Sequence, residues 1–134
     1  MTTKVAINGF GRIGRLVARA ILERSDDDME LVSINDLADT KSNALLFQYD
    51  STHGRFPGAV EVEDGAIVVN GHRIAVTCER DPANLPHGEQ GVDIVMECTG
   101  FFQSDEACRA HLSAGAKRVL ISAPAKGVSA TVVY

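Results

Sequence analysis

Three glycines, Gly9, Gly11 and Gly14, stand in G-x-G-x-x-G spacing directly after the apolar run Val5-Ala6-Ile7 and directly before a helical pattern. Each has a separate use at a phosphate site: Gly9 permits a tight turn out of a strand, Gly11 leaves no side chain between the backbone and a pyrophosphate, and Gly14 lets the helix pack close to the sheet. The unpaired amides at a helix start, with the positive end of its dipole, favour an anion without any dedicated basic residue. A diphosphate therefore fits this turn. About 20 residues further on, the strand-like run Glu30-Leu31-Val32-Ser33-Ile34-Asn35 is followed at once by Asp36, the place of a ribose-binding acid. A carboxylate there accepts hydrogen bonds from both adenosine hydroxyls and repels a 2'-phosphate, so the expected cofactor is NAD in preference to NADP. The competing reading is that the glycines only serve a tight turn and Asp36 only caps the next one.

The elements that must hold these residues follow from periodicity. A strand is expected over 4–8, and a helix over 12–24 with Ile13, Leu16, Val17, Ala20 and Ile21 on one face. After a polar loop, a strand to residue 35 closes a right-handed βαβ unit. A helix over 40–47 starts from Asp39 or Thr40 as its N-cap. Between residues 59 and 78, alternating Val60, Val62, Ile67, Val69, Ile74 and Val76 surround Asp64-Gly65 and Asn70-Gly71, which are hairpin signals. Parallel logic resumes with a central strand over 92–97, a helix over 105–114 begun by Ser104 or Asp105 and closed by Gly115, and a strand over 118–122. The expected fold is α/β: a Rossmann-type, doubly wound, mostly parallel sheet with a small antiparallel hairpin insertion, forming one domain over 1–134. In such sheets ligands bind beyond the carboxyl ends of the strands, so Asn8-Gly9, Asn35-Asp36, Cys98-Thr99-Gly100 and Ser122-Ala123-Pro124 should collect at one crevice. Thr99 and Ser122 offer hydroxyls there and Gly100 a close backbone approach, against the plainer reading of strand-end capping.

Composition narrows the function classes. With 18 acidic against 13 basic residues and a net charge of −5, no nucleic-acid surface is expected. Charges interrupt every apolar run well short of a bilayer span, so neither membrane insertion nor a signal sequence is expected, and the cytoplasm is the anticipated compartment. Cys78, Cys98 and Cys108 make an odd number with no CxxC pair, and His53, His72, His87 and His111 lack ligand spacing, so neither disulfide nor metal is expected. Cys98 falls beside the crevice, whereas Cys78 and Cys108 read as core or helix-face residues. Asp50, Ser51 and His53 lie too close in sequence to form a nucleophilic relay, which is assembled from separate segments.

Nearly the whole chain resembles the amino-terminal part of the glyceraldehyde-3-phosphate dehydrogenase family. The resemblance rests on residues 7–15 (INGFGRIGR), 34–37 (INDL), 49–56 (YDSTHGRF), 79–82 (ERDP), 98–100 (CTG) and 115–119 (GAKRV). It implies that Arg12 and Ile13 offer backbone amides to the pyrophosphate, that Asp36 holds the adenosine ribose and Arg80 lies by the adenine, and that Thr99, Gly100 and Ser122 line the nicotinamide half of NAD. The candidate cofactor set is thus Asn8, Gly9, Phe10, Gly11, Arg12, Ile13, Asp36, Arg80, Thr99, Gly100 and Ser122. The family's reaction oxidises a phosphorylated aldehyde to an acyl phosphate through a cysteine in a Ser-Cys-Thr-Thr-Asn motif, with hydride passing to NAD. That motif does not occur in these 134 residues, so no catalytic residue is expected here. The resemblance further implies a homotetramer, with residues 49–56 as a packing and intersubunit segment. Residues 131–134 read as an interrupted apolar strand, from which truncation before a catalytic domain is expected, leaving an unpaired sheet edge. The alternatives are erythrose-4-phosphate dehydrogenase and a stand-alone dinucleotide-binding module.

Overall fold

Val5, Ala6 and Ile7 are each at most 2% exposed, so the first strand, β1 (Thr3–Asn8), is covered on both faces. A continuous apolar run of this kind is what a central parallel strand needs, because helices close over the sheet from both sides. Val5 and Ile7 join Ala18 and Ile21 of α1 (Arg12–Glu23) and Ala44 and Phe47 of α2 (Thr40–Gln48) in one cluster. Ala6 points the other way and packs with Val92, Val95 and Ala116. The doubly wound arrangement is therefore written into alternate residues of one strand.

The computed structural model describes residues 3–23, 28–50, 54–55, 58–79, 84–98 and 105–121. After α1 come β2 (Met29–Asn35) and α2, then a two-stranded ribbon of β3 (Tyr49–Asp50) and β4 (Gly54–Arg55). Three strands follow, β5 (Val60–Glu63), β6 (Ala66–Val69) and β7 (His72–Thr77), then α3 (His87–Gln90), β8 (Ile94–Glu97), α4 (Asp105–Ser113) and β9 (Arg118–Ile121). Among the described residues the main sheet has seven strands in the order β5-β6-β7-β2-β1-β8-β9. From β7 to β9 all neighbours are parallel; β5-β6 and β6-β7 are antiparallel. The expected hairpins thus extend the main sheet, because β7 itself runs parallel to β2.

The local chemistry explains the boundaries. Asp39 caps α2 by accepting the Ser42 N–H at 2.7 Å, and the Ser42 backbone and hydroxyl donors hold its carboxyl below the usual carboxylate range. Asn70 and Gly71 have φ of +52° and +84°, the two positive values that a tight hairpin turn matched to strand twist requires. The strand expected from residue 92 starts at Ile94, because the Val92 N–H is spent on the His87 carbonyl that closes α3. Cys78, expected in the core or on a helix face, is exposed just past the end of β7. Among the described residues no helix is long and apolar enough to cross a membrane.

The first turn of α3 and the turn after α4 touch through glycine backbone. Gly88 N–H donates to the Ala114 carbonyl at 2.9 Å, and a Cβ at Gly115 would overlap the backbone N and Cα of Gly88. Gly115 also has φ of +115°, which side-chain-bearing residues rarely adopt. Gly115→Ala is therefore expected to destabilise the protein by about 2 kcal/mol or more, measured by urea denaturation. An unchanged midpoint would show that the two turns do not depend on this contact.

Candidate functional site

The parallel register brings four strand ends level: Asn8 pairs with Asn35 on one side and Glu97 on the other, and Glu97 pairs with Ile121. β1 lies between β2 and β8, the point where successive crossovers leave in opposite directions, and this is where an open α/β sheet forms its crevice. Backbone bonds continue past the row, from Gly9 N–H to Asn35 O at 2.8 Å, from Cys98 N–H to Asn8 O at 2.8 Å and from Asp36 N–H to Thr77 O at 3.1 Å. The segments leading to Gly9, Asp36 and Cys98 are thus held by the sheet ladder.

The three loop glycines answer to different constraints. Gly9 has φ of +94°, so the turn needs glycine for its backbone. A Cβ at Gly14 would collide with the Gly9 carbonyl oxygen and press on Ile7 Cγ2, so Gly14 is required for α1 to approach β1. At Gly11 neither reason applies, since its φ is not positive and a Cβ would meet nothing within 4 Å among the described residues. The bare surface at Gly11 faces outward, in front of the first turn of α1, whose leading amides have no partner within the helix. Phe10, by contrast, is 2% exposed and stacks on Phe47 at a centroid distance of 6.0 Å, so its ring anchors the loop and only its backbone faces outward chemistry. Arg15 Nη1 donates to the Phe10 carbonyl at 3.1 Å, tying the same turn back to α1.

Asp36 is already coupled to this loop. Its Oδ1 accepts the Phe10 N–H at 2.9 Å and its Oδ2 the Ala38 N–H at 3.0 Å. A carboxylate offers about four acceptor positions, so these two bonds orient it without exhausting it. Arg12 and Ile13 are exposed at the helix start, whereas the Asn8 side chain is buried at 3% exposure. Arg80, Thr99, Gly100 and Ser122 lie outside the described residues.

The sequence reading missed a buried polar row under these strand ends. Glu97 is 1% exposed, His111 0%, His87 3%, Asn8 3% and Asn35 6%. Glu97 accepts from Asn8 Nδ2 at 2.7 and 3.2 Å and pairs with His111 Nε2 at 2.7 Å, and His111 Nδ1 lies 3.1 Å from His87 Nε2. Asn8 Nδ2 and His111 Nε2 lie 3.4 Å apart because both converge on one oxygen of Glu97. In the other direction Asn35 Nδ2 donates to Asn8 Oδ1 at 2.8 Å and to the Glu79 carbonyl at 2.8 Å. Asn35 Oδ1 in turn accepts from the Thr77 hydroxyl at 2.7 Å and the Glu79 N–H at 2.8 Å. A Glu ending an otherwise apolar strand run, and Asn at two strand ends, were the signals available; the histidines gave none, since 24 positions separate them. Among the described residues no three His, Cys, Asp or Glu side chains gather as a metal site.

Comparison with known proteins agrees with this geometry. Residues 3–105 match the family described as glyceraldehyde 3-phosphate dehydrogenase, NAD binding domain. The chain is 64% identical over 135 residues to glyceraldehyde-3-phosphate dehydrogenase of Zymomonas mobilis and 60% identical over 134 residues to that of Xanthobacter flavus, in each case over 100% of this chain and 40% of the relative. It is 59% identical over 126 residues to the Salmonella typhimurium enzyme, over 94% of this chain and 38% of the relative. The chain spans about 40% of the length of the curated relatives it matches.

The end of the buried row carries a titration consequence. Burial first, and the neighbouring His111 second, lower the pKa of His87 from 6.5 to about 4. Among the described residues its Nδ1 has no hydrogen-bond partner, as expected of a neutral imidazole whose other nitrogen faces His111. Between pH 6.5 and about 4 the unfolded chain binds a proton at His87 that the folded chain refuses, so stability falls as pH falls through that window. His87→Gln, which keeps an N–H toward His111, is expected to flatten this acid loss by on the order of 1–3 kcal/mol in urea midpoints compared between pH 7 and 4.5. A variant as acid-sensitive as the parent would exclude His87 as the source.

Proposed function

The chain belongs to the glyceraldehyde 3-phosphate dehydrogenase family through its NAD-binding domain, and from that premise we propose how its own residues hold NAD across the carboxyl ends of β1 and β2. The diphosphate rests against the backbone amides of Arg12 and Ile13 at the start of α1, over the bare Gly11, with Gly9 and Phe10 contributing backbone to the same turn. Asp36 accepts the adenosine ribose hydroxyls with the acceptor capacity that Phe10 and Ala38 leave open. Arg80 lies beside the adenine, and Thr99, Gly100 and Ser122 line the nicotinamide half. Asn8 serves from behind, its side chain turned into the protein. NAD bound there supplies a hydride acceptor. The observation that carries this reading is Gly11: a glycine with ordinary backbone and open space around it is explained by something that must approach from outside.

In the whole protein the reading assigns NAD-dependent, phosphorylating oxidation of a phosphorylated aldehyde to an acyl phosphate. This chain contributes the cofactor half. The nucleophilic cysteine motif of the family is absent from the 134 residues, so the chain by itself is inactive. The same reading makes the protein a cytoplasmic homotetramer without nucleic-acid or membrane partners. Support for assembly comes from α2 and its end, where Leu45, Leu46 and Tyr49 are 59%, 46% and 53% exposed, an apolar surface suited to burial by another part of the protein or another subunit.

Two experiments test the site. Calorimetric titration is expected to show NAD bound more tightly than NADP, with the preference reduced in Asp36→Ala by about tenfold, the worth of hydrogen bonds to a charged group. Equal affinity of the parent for both cofactors would overturn the role of Asp36. Glycine substitutions separate fold from ligand: Gly11→Ala should keep the parent's melting temperature while weakening NAD binding by about tenfold or more, whereas Gly14→Ala should lower the melting temperature itself. Unchanged NAD affinity in Gly11→Ala would remove the observation on which the site rests.

A further inference from the structure

We propose that Glu97 is a positioning residue for the dinucleotide: through Asn8 and Asn35 it sets where Asp36 and the segment entering Arg80 stand relative to the glycine turn. The inference rests on the NAD site described above and adds residues that touch no part of the ligand. Among the described residues Glu97 meets donors on two elements, Asn8 on β1 and His111 on α4. A carboxylate has only acceptors to offer, so Asn8 must present its NH2 group to Glu97 and its oxygen to β2. Asn35 must then give its NH2 group to Asn8 Oδ1 and to the Glu79 carbonyl, and its oxygen to the Thr77 hydroxyl and the Glu79 N–H. The carboxylate at one end and the Glu79 backbone at the other thus demand one and the same direction of both amides in a row that crosses β8, β1, β2 and β7.

The row ends on residues adjacent to the ligand-facing ones. Asn8 precedes Gly9, Asn35 precedes Asp36, and Glu79 precedes Arg80. Asn35 clamps Glu79 through both its backbone groups, so the chain leaves β7 in one direction. Asp36 closes the circuit by taking the Phe10 N–H in the turn that Asn8 begins. If an amide in the row turned over, donor would face donor and acceptor would face acceptor in a site almost without water, and that penalty keeps one arrangement. Preorganisation of this kind improves binding because the ligand need not order the site. It also bears on cofactor choice, since the distance of Asp36 from the ribose decides how strongly a 2'-phosphate is repelled.

The test compares NAD and NADP titrations of the parent with those of Glu97→Gln, Glu97→Met and Thr77→Val. Glu97→Gln keeps one oxygen for Asn8 and His111 to share, as they share one oxygen of Glu97; NAD affinity should stay within about threefold of the parent. Glu97→Met removes the acceptor, and NAD affinity should fall about tenfold or more with a narrowed preference over NADP. Thr77→Val, isosteric and at the far end of the row, should weaken NAD by about threefold and narrow the preference at an unchanged melting temperature, and it decides the matter if Glu97→Met does not fold. Parent-like affinity and preference in Thr77→Val or in folded Glu97→Met, with the parent binding NAD normally, would overturn the positioning role. A parent that binds no NAD would overturn the site reading instead.

Discussion

One buried carboxylate governs the carboxyl edge of this sheet. Glu97 sits beside Asn8 at the point where the strand order reverses, almost without solvent, with donors from β1 and α4 directed at it. Removing a carboxylate from water costs several kcal/mol unless its lone pairs are filled, so a strand ending in Glu here demands partners from both neighbours. The partners have demands of their own, and the row of amides spreads to β7. The rest of the core is mostly apolar, with Arg19, Ser33 and Asn43 as buried polar exceptions; here geometry is discrete, because each group is either bonded or orphaned.

Above that row the proposed cofactor site is built almost wholly from backbone. Three glycines do three unlike things: one bends the chain, one lets a helix touch a strand, and one leaves a surface clear. The neighbouring side chains are turned to internal tasks, Phe10 packing on Phe47 and Arg15 returning to the Phe10 carbonyl. Asp36 binds the turn to the second strand before any ligand arrives. An anion site of this kind owes its charge preference to oriented amides, which cannot reorient away as a lysine side chain could.

Helices on the far face serve the same edge indirectly. Gly88 in α3 and Gly115 in the turn after α4 allow an approach that no side chain would permit, and this approach brings the His87 and His111 rings to 5.3 Å between centroids. Packing of α3 against the turn after α4 therefore steadies His111 as a partner of Glu97. The antiparallel strands on the opposite side extend the sheet and hold β7, whose end delivers Thr77 and Glu79 to Asn35.

Most of the architecture was legible in the residues themselves. Period-two and period-3.6 apolar spacing marked the strands and helices, Asn70-Gly71 marked its turn, and the glycine spacing marked the turn from β1 into α1, because each of these is a short-range constraint that a few adjacent residues satisfy or fail. Spacing did not reveal that β7 would lie against β2, nor that Cys78 would be exposed, since both depend on which strand edge the hairpins reach. Least legible was the polar row. Asn8, Asn35, Glu97, His111 and His87 are spread over 103 positions between the two outermost partners that touch Asn8 and His111, and no local pattern links them. Only the parallel register and the glycine-to-glycine contact of two turns put them in reach, and only burial, by withdrawing water as a substitute partner, made their hydrogen bonds obligatory.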